Sequence, residues 1–437
     1  MSQPRRRLLV IALLCVVAAC QRSAAPSPAD VVLIVIDTQR AENMSLYGYA
    51  RETSPEISRF AQDAVTYENA IAPGTWTVPT HAAIFTGRWP SYHGAERIGG
   101  ATLRARPINP EIPTLAEIVR TRGYATAAFI ANRTYMSPSF GFARGFDVYV
   151  NDIEFPIAEK ITAAIRAWMP GREGPIFLFA NYLDPHEPYE PPQPFDTRFP
   201  GKNDQYGPML SPKLSAGETF TPAMQSHFLS QYDGETAYAD RWVVDTIEAL
   251  REEGRYESAL IIITSDHGEM LGEHNLAGHG LEPYEQQLHV PLIVKYPGNR
   301  NAGTRVAERV STLAVFGTIL ETLHLDPPEG TQAVPLGQPH EAFAEDIDAF
   351  GRRVRVGYDG TWKLVSLIPL VGPERTSLYD LADDPGEEAP RTDGSGAAAL
   401  RASLARFAAA PRPVNAAEAP AIDPEQEARL RALGYVP

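Results

Sequence analysis

The sequence predicts an α/β fold with a mostly parallel central sheet and a small antiparallel β subdomain towards the C-terminus. Three observations predict it. Continuous apolar runs recur as far as Thr264 and each stops at a polar residue, segments of helical spacing lie between them, and beyond the last of these come short strand-like runs. With 437 residues, 44% of them hydrophobic, the chain can bury a large core.

The elements follow in order. Val31 to Ile36 is apolar throughout and stops at Asp37, as suits a strand covered on both faces. Thr114 to Arg122 has helical spacing, and Ala125 to Ala131 is a second buried strand ending at Asn132. Ile157 to Met169 is helical, and Ile176 to Leu183 is a strand ending at Asp184. Pro185 to Pro222 is a proline-rich excursion, either a substrate-shaping flap or an inert loop. Met224 to Glu253 is a long helix, and Leu260 to Thr264 is a strand running into Ser265-Asp266-His267. Val310 to Leu325 is a helix closing the main sheet, and Val354 to Val356 and Trp362 to Leu367 are strands of the add-on. Such sheets place their sites at the carboxyl ends of strands, where these polar residues fall. The division expected is a signal peptide at 1–19, a lipidated linker at 20–30, the main α/β domain at 31–330, the β subdomain at 331–390 and a helical tail at 391–437.

Arg5-Arg6-Arg7 form a basic segment before Leu8 to Val17, an apolar stretch too short to span a bilayer, so the N-terminus reads as an export signal. Val17-Ala18-Ala19-Cys20 resembles a lipobox. That implies cleavage before Cys20, lipidation of its thiol and a lipid-anchored protein of the bacterial cell envelope facing the periplasm. Gln21 in place of an aspartate favours the outer membrane. An ordinary secretory signal is the plainer alternative. Cys15 and Cys20 are the chain's two cysteines, so the mature protein has no disulfide, thiolate metal site or cysteine nucleophile. Loss of the three arginines takes the net charge from -15 to -18. Nucleic acid bound by bulk charge is disfavoured, and an anionic substrate must be recruited locally.

Three motifs carry chemistry. Leu33-Ile34-Val35-Ile36-Asp37-Thr38-Gln39-Arg40 puts a hard carboxylate at a strand end. Thr77-Val78-Pro79-Thr80-His81 precedes an apolar helix-like run. Ile263-Thr264-Ser265-Asp266-His267-Gly268-Glu269 puts an oxygen and a nitrogen donor side by side. In this order the motifs resemble those of the sulfatase-like family of the alkaline phosphatase superfamily. The resemblance implies that family's three-layer sandwich and one divalent metal held by Asp37, Thr77, Asp266 and His267. Imidazole ligation favours zinc or manganese, with calcium the remaining candidate, and Thr38 stands where many arylsulfatases carry a second aspartate.

Thr77 occupies the place of the Cys or Ser that sulfatases convert to formylglycine, and threonine cannot be oxidised to that aldehyde. His81 replaces the arginine anchoring that group, and Ala131 and His279 stand where two lysines are expected. These four departures move the implied chemistry from sulfate to phosphate. The set is similar to the single-metal site of lipoteichoic acid synthases and phosphoethanolamine transferases, in which a metal-held threonine is the nucleophile. His186, in Asp184-Pro185-His186-Glu187-Pro188-Tyr189, and His279 then read as leaving-group acid and oxyanion donor, or with Asp184 as ligands of a second metal. His81, Asn132 and Asp184 are candidate substrate contacts. His93, His274 and His289 take the structural default. Ser377 to Glu387 and Arg429 to Tyr435 resemble closing segments of the family and carry no chemistry.

The resulting reading is a metal-dependent hydrolase or transferase acting on a phosphodiester or phosphonate of a small molecule, glycan or lipid head group. Two others compete with it: a sulfuric ester hydrolase in which Thr77 attacks sulfur, and a non-catalytic envelope binding protein.

Overall fold

The computed structural model describes residues 29–98, 104–153, 157–209, 219–391, 394, 397–413, 415, 417–420 and 428. The export signal, Cys20 and the segment Arg429 to Tyr435 lie outside the described residues.

Eight strands form the central sheet: β1 (Val31–Ile36), β2 (Val65–Ile71), β3 (Ala125–Ile130), β4 (Val148–Val150), β5 (Ile176–Tyr182), β6 (Leu260–Thr264), β7 (His289–Lys295) and β8 (Arg305–Ser311). Their order is β8-β2-β7-β6-β1-β5-β3-β4, and β7 alone runs against the rest. Side chains of β1 alternate between two cores. Val31, Leu33 and Val35 join one with α1 (Thr77–Thr86). Val32, Ile34 and Ile36 join the other with α3 (Ile157–Trp168) and α4 (Pro222–Glu252), the helix α2 (Leu115–Arg120) packing on the α1 side. Both faces are covered, so the apolar runs legible in β1, β3, β5 and β6 are what a double-sided core requires. The three-layer α/β architecture is the one predicted.

Local chemistry sets the boundaries. Thr114 and Glu117 form a reciprocal capping box at the start of α2. The Thr221 hydroxyl accepts the Met224 amide and Pro222 takes the first turn of α4, two residues before the start read from the apolar pattern. The helix expected over Val310 to Leu325 is shorter, α5 (Ala314–Thr322), because Val310 and Ser311 pair with Ala70 and Ile71 as the end of β8. A second, four-stranded antiparallel sheet follows: β9 (Phe343–Ile347), β10 (Arg353–Asp359), β11 (Trp362–Ile368) and β12 (Arg375–Asp380), covered by α6 (Ala397–Ala409). Sequence pattern indicated β10 and β11. Edge strands β9 and β12, with Glu345-Asp346 and Arg375-Thr376 in them, do not have an apolar run to read.

α1 is buried along its whole length. It lies between the central sheet and the small sheet, which is how Thr77 at its first turn comes to face the carboxyl ends of β1 and β6.

Candidate active site

Asp37 follows the last residue of β1, and its amide is bound to the Tyr182 carbonyl at 2.8 Å. Asp266 and His267 follow β6, the strand beside β1. Asp37, Thr77, Asp266 and His267 are all fully buried. One ligand atom from each of Asp37, Asp266 and His267 falls within 4.8 Å of the others. The Thr77 hydroxyl is 3.3 Å from His267 Nε2. The four residues read as one metal set from sequence therefore come together.

Each donor is held through its other polar atom. Asp37 Oδ2 accepts from the Asn132 side-chain amide at 2.9 Å and from that of Asn181 at 3.4 Å, leaving Oδ1 buried without a hydrogen-bond partner among the described residues. Asp266 Oδ1 accepts the amides of Thr38 (3.2 Å) and His267 (2.9 Å), leaving Oδ2 in the same condition. His267 donates Nδ1–H to the Gly268 carbonyl at 2.8 Å, which points Nε2 at the two carboxylates, 3.2 Å from Asp266 Oδ2 and 3.9 Å from Asp37 Oδ1. Buried carboxylate oxygens without donors are costly. Two of them converging on an imidazole lone pair and a hydroxyl suit a divalent cation of the zinc or manganese type.

Electrostatics agree with that reading. Burial, reinforced by the Asp266 charge, pushes the Asp37 carboxyl up. Burial acts the same way on Asp266, but the His267 and His81 rings outweigh it and hold that carboxyl down. His267 loses hydration, yet the carboxylates of Asp266 and Asp37 raise it to about 9. A proton on His267 is thus the positive charge the cluster takes when no metal supplies it. Thr38 adds strain: it is β-branched, yet its φ is +57°. Its amide on Asp266 and its carbonyl on the Tyr232 hydroxyl, at 2.7 Å, hold it there.

The other predicted residues divide. His81 enters the site: Nδ1 donates to the Thr77 carbonyl at 3.0 Å and lies 3.3 Å from Asp266 Oδ2, with Phe142 and Phe179 packed edge-on against the ring. Asn132 is engaged with Asp37, so it positions a ligand. Asp184 stands apart from the metal group, facing the Ala158 backbone and influencing Glu235 and Tyr238, and burial raises it to about 6. His186 and His279 flank the site, with ring centroids 5.0 Å apart and His279 4.4 Å from His267. Burial lowers both, most strongly His279. His93, His274 and His289 each bond a backbone carbonyl, of Pro79, Gly386 and Glu68.

Three contributors were not read from sequence. Asn181 is a polar residue inside the buried β5 run, and that break in pattern is a usable signal. Arg97 is buried with its guanidinium 4.5 Å above the ring of Trp76, the residue before Thr77. Glu269 is fully buried and bonds His279.

Residues 29–325 match the model of the sulfatase family. The ulvan-active sulfatase of Formosa agariphila is 20% identical over 347 residues, covering 72% of this chain and 65% of that protein, just under two thirds of its length. A multifunctional alkaline phosphatase superfamily protein of Trinickia caryophylli is 23% identical over 409 residues, covering 71% of this chain and 78% of its own. The crystal structure of a phosphonate monoester hydrolase of Agrobacterium radiobacter superposes with a TM-score of 0.70 at 21% identity, covering 87% of this chain and 94% of that one. At that identity the superposition speaks to the fold.

Proposed function

Because the chain belongs to the sulfatase family, an ester-hydrolase family, we propose that it cleaves a phosphodiester or phosphonate ester through Thr77, by way of a covalent phospho-Thr77 intermediate. The observation that carries this reading is the Thr77 hydroxyl, 3.3 Å from His267 Nε2, beside two buried carboxylate oxygens that lack donors. Asp37, Asp266, His267 and Thr77 would hold a divalent ion, which when bound supplies the charge that makes a threonine hydroxyl nucleophilic at neutral pH.

The protein's own residues do the rest. Thr77 Oγ1, its proton first released to solvent, bonds to phosphorus as the bond to the leaving alcohol breaks, and His186, entering the step as the imidazolium, gives the leaving oxygen its Nε2 proton. The position of Thr77 in the first turn of α1 adds the positive end of a helix dipole to the developing charge. His279, giving its Nδ1–H to Glu269, keeps Nε2 as the acceptor for the proton of the nucleophile that attacks phospho-Thr77. Water, or an acceptor alcohol in a transferase, then attacks phospho-Thr77 and restores the hydroxyl. The phosphonate monoester hydrolase and the Trinickia protein support phosphorus as the target. The ulvan-active sulfatase supports the second reading, a sulfuric ester of a glycan attacked by Thr77. Held by a lipidated Cys20, the enzyme would act on the periplasmic side of the envelope.

The test is turnover of bis-p-nitrophenyl phosphate, p-nitrophenyl phosphate and p-nitrophenyl sulfate with zinc, manganese or calcium added. Metal-dependent diester cleavage that vanishes in Thr77→Ala is the expected result. Preferred sulfate cleavage replaces this reading with the second, and silence on all three without bound metal replaces both with a binding role.

A further inference from the structure

The four histidines around Thr77 share one feature: each is tethered through Nδ1, His81 to the Thr77 carbonyl itself at 3.0 Å. His267 is tied to the Gly268 carbonyl at 2.8 Å, and His186 to the Glu187 carbonyl at 2.5 Å. His279 is tied instead to a side chain, the Glu269 carboxylate, at 2.9 Å. We infer that Glu269 is a positioning residue, holding His279 Nδ1–H so that the unprotonated Nε2 is the nitrogen presented to the water or alcohol that attacks phospho-Thr77; this rests on the role given to His279 above.

The fold builds the pair deliberately. Met270 pairs with Gly278 and Leu271 with Ala277 in a short antiparallel ladder, so one step outward Glu269 and His279 stand directly opposite each other. The ladder is clamped at its root. The amides of Gly268 and Glu269 bind the carbonyls of Gln287 (2.8 Å) and Gln286 (3.0 Å), and a Cβ on Gly268 would lie 2.0 Å from the Gln286 oxygen. Both partner side chains are buried, at 0% and 3% exposure. A buried carboxylate–imidazole pair is a poor adhesive, since an apolar pair of the same size holds two strands at least as well. It does give one ring nitrogen a fixed task, as carboxylates do for metal-binding and catalytic imidazoles. Glu269 also sits two residues beyond His267, so one turn delivers both a metal ligand and the guide for His279.

The experiment compares Glu269→Gln, Glu269→Ala, His279→Ala and the double variant Glu269→Ala/His279→Ala in the metal-loaded full protein. Gln keeps a neutral acceptor for Nδ1–H, so kcat within about threefold of the parent is expected, against a fall of about 10- to 100-fold in Glu269→Ala with KM and metal content little changed. The double variant should be no slower than His279→Ala alone. Multiplicative losses in the double variant, loss of metal from Glu269→Ala, or an inactive Glu269→Gln that is still folded and metal-loaded would each overturn the inference. A readout independent of turnover separates this from failure of the phosphoryl-transfer reading. In NMR of nitrogen-labelled protein, a slowly exchanging His279 Nδ1–H should persist in Glu269→Gln and vanish in Glu269→Ala, and its absence from the parent protein also overturns it.

Discussion

Two of the buried charge clusters in this molecule are built on opposite principles. At the carboxyl ends of β1 and β6, Asp37 and Asp266 leave one oxygen each without a donor. Where the small sheet meets the active-site loop, Lys363 and Glu387 are buried and Glu285 nearly so, at 14% side-chain exposure, and the three close on themselves. The lysine ammonium lies 2.9 Å from Glu285 and 2.7 Å from Glu387 and donates to the Pro283 carbonyl at 2.7 Å. Glu387 accepts the Glu285 amide, and Tyr358 donates to Glu285. The second cluster carries its own cation, the Lys363 ammonium, against both carboxylates. The first turns two carboxylate oxygens on an imidazole and a hydroxyl, and that surplus of acceptors marks it as a site while the other is a joint.

The largest expected effect tests the surplus directly. Thr77→Ala removes the proposed nucleophile but none of the core, and kcat/KM should fall on the order of 10⁴-fold, ~5 kcal/mol of transition-state stabilisation. A thermal melt of the metal-free protein should not move. A retained rate would show that the open cluster is not where the chemistry happens.

Next is the closed cluster. Lys363→Met strands the buried Glu387 carboxylate, Glu285 keeping Arg309 at 3.6 Å, and should cost ~3–5 kcal/mol in denaturant unfolding, with the active site's metal affinity unchanged in whatever protein folds. Asp37→Asn in the metal-free protein is the counterpart. Burial already disfavours the Asp37 charge, and the Asn side chain keeps an oxygen for Asn132 and Asn181, so stability should hold or rise while metal binding is lost. Equal destabilisation by both substitutions would erase the distinction drawn between the clusters.

Metal itself sharpens the comparison. At about 100 times its dissociation constant, an ion that binds only the folded state adds ~2.7 kcal/mol, so the melting temperature should rise on adding zinc or manganese and fall back with chelator. The closed cluster already holds a cation in Lys363, so Asp37→Asn should abolish the shift and a Lys363 variant should keep it.

The open cluster was the more legible of the two. Asp37, Thr77, Asp266 and His267 each stand in a short local motif at a strand or helix end, so neighbours in sequence announce them. The guides do not announce themselves. Glu269 acquires its role from a hairpin register, and Asn181 from lying on the strand next to β1, in register with Val35. Strands split along the same line. β1, β3, β5 and β6 are apolar because both faces are covered. β8, at the sheet edge, reads Arg305-Val306-Ala307-Glu308-Arg309 and is half in solvent, while β2 carries Glu68-Asn69 and β7 carries Pro291, so none of the three shows the apolar run that marks a central strand. Glu387 belongs to the closing segment taken to carry no chemistry, and its part in the Lys363 joint fits that.

The smallest effect expected is one of pH. His267 is raised from 6.5 to about 9 when folded. Between those values the folded state holds a proton that the unfolded state has released, so the metal-free protein should lose stability as pH rises through that window, by on the order of 1–3 kcal/mol. A bound ion would need Nε2 and must displace the proton that competes for it below pH 9, so metal stabilisation should instead strengthen over the same range. Melts at pH 6, 7.5 and 9, with and without zinc, should therefore diverge, and His267→Gln should flatten the metal-free curve. Parallel curves would mean that the imidazole is not exchanging a proton for a cation, and the open cluster would then be a second joint like that of Lys363.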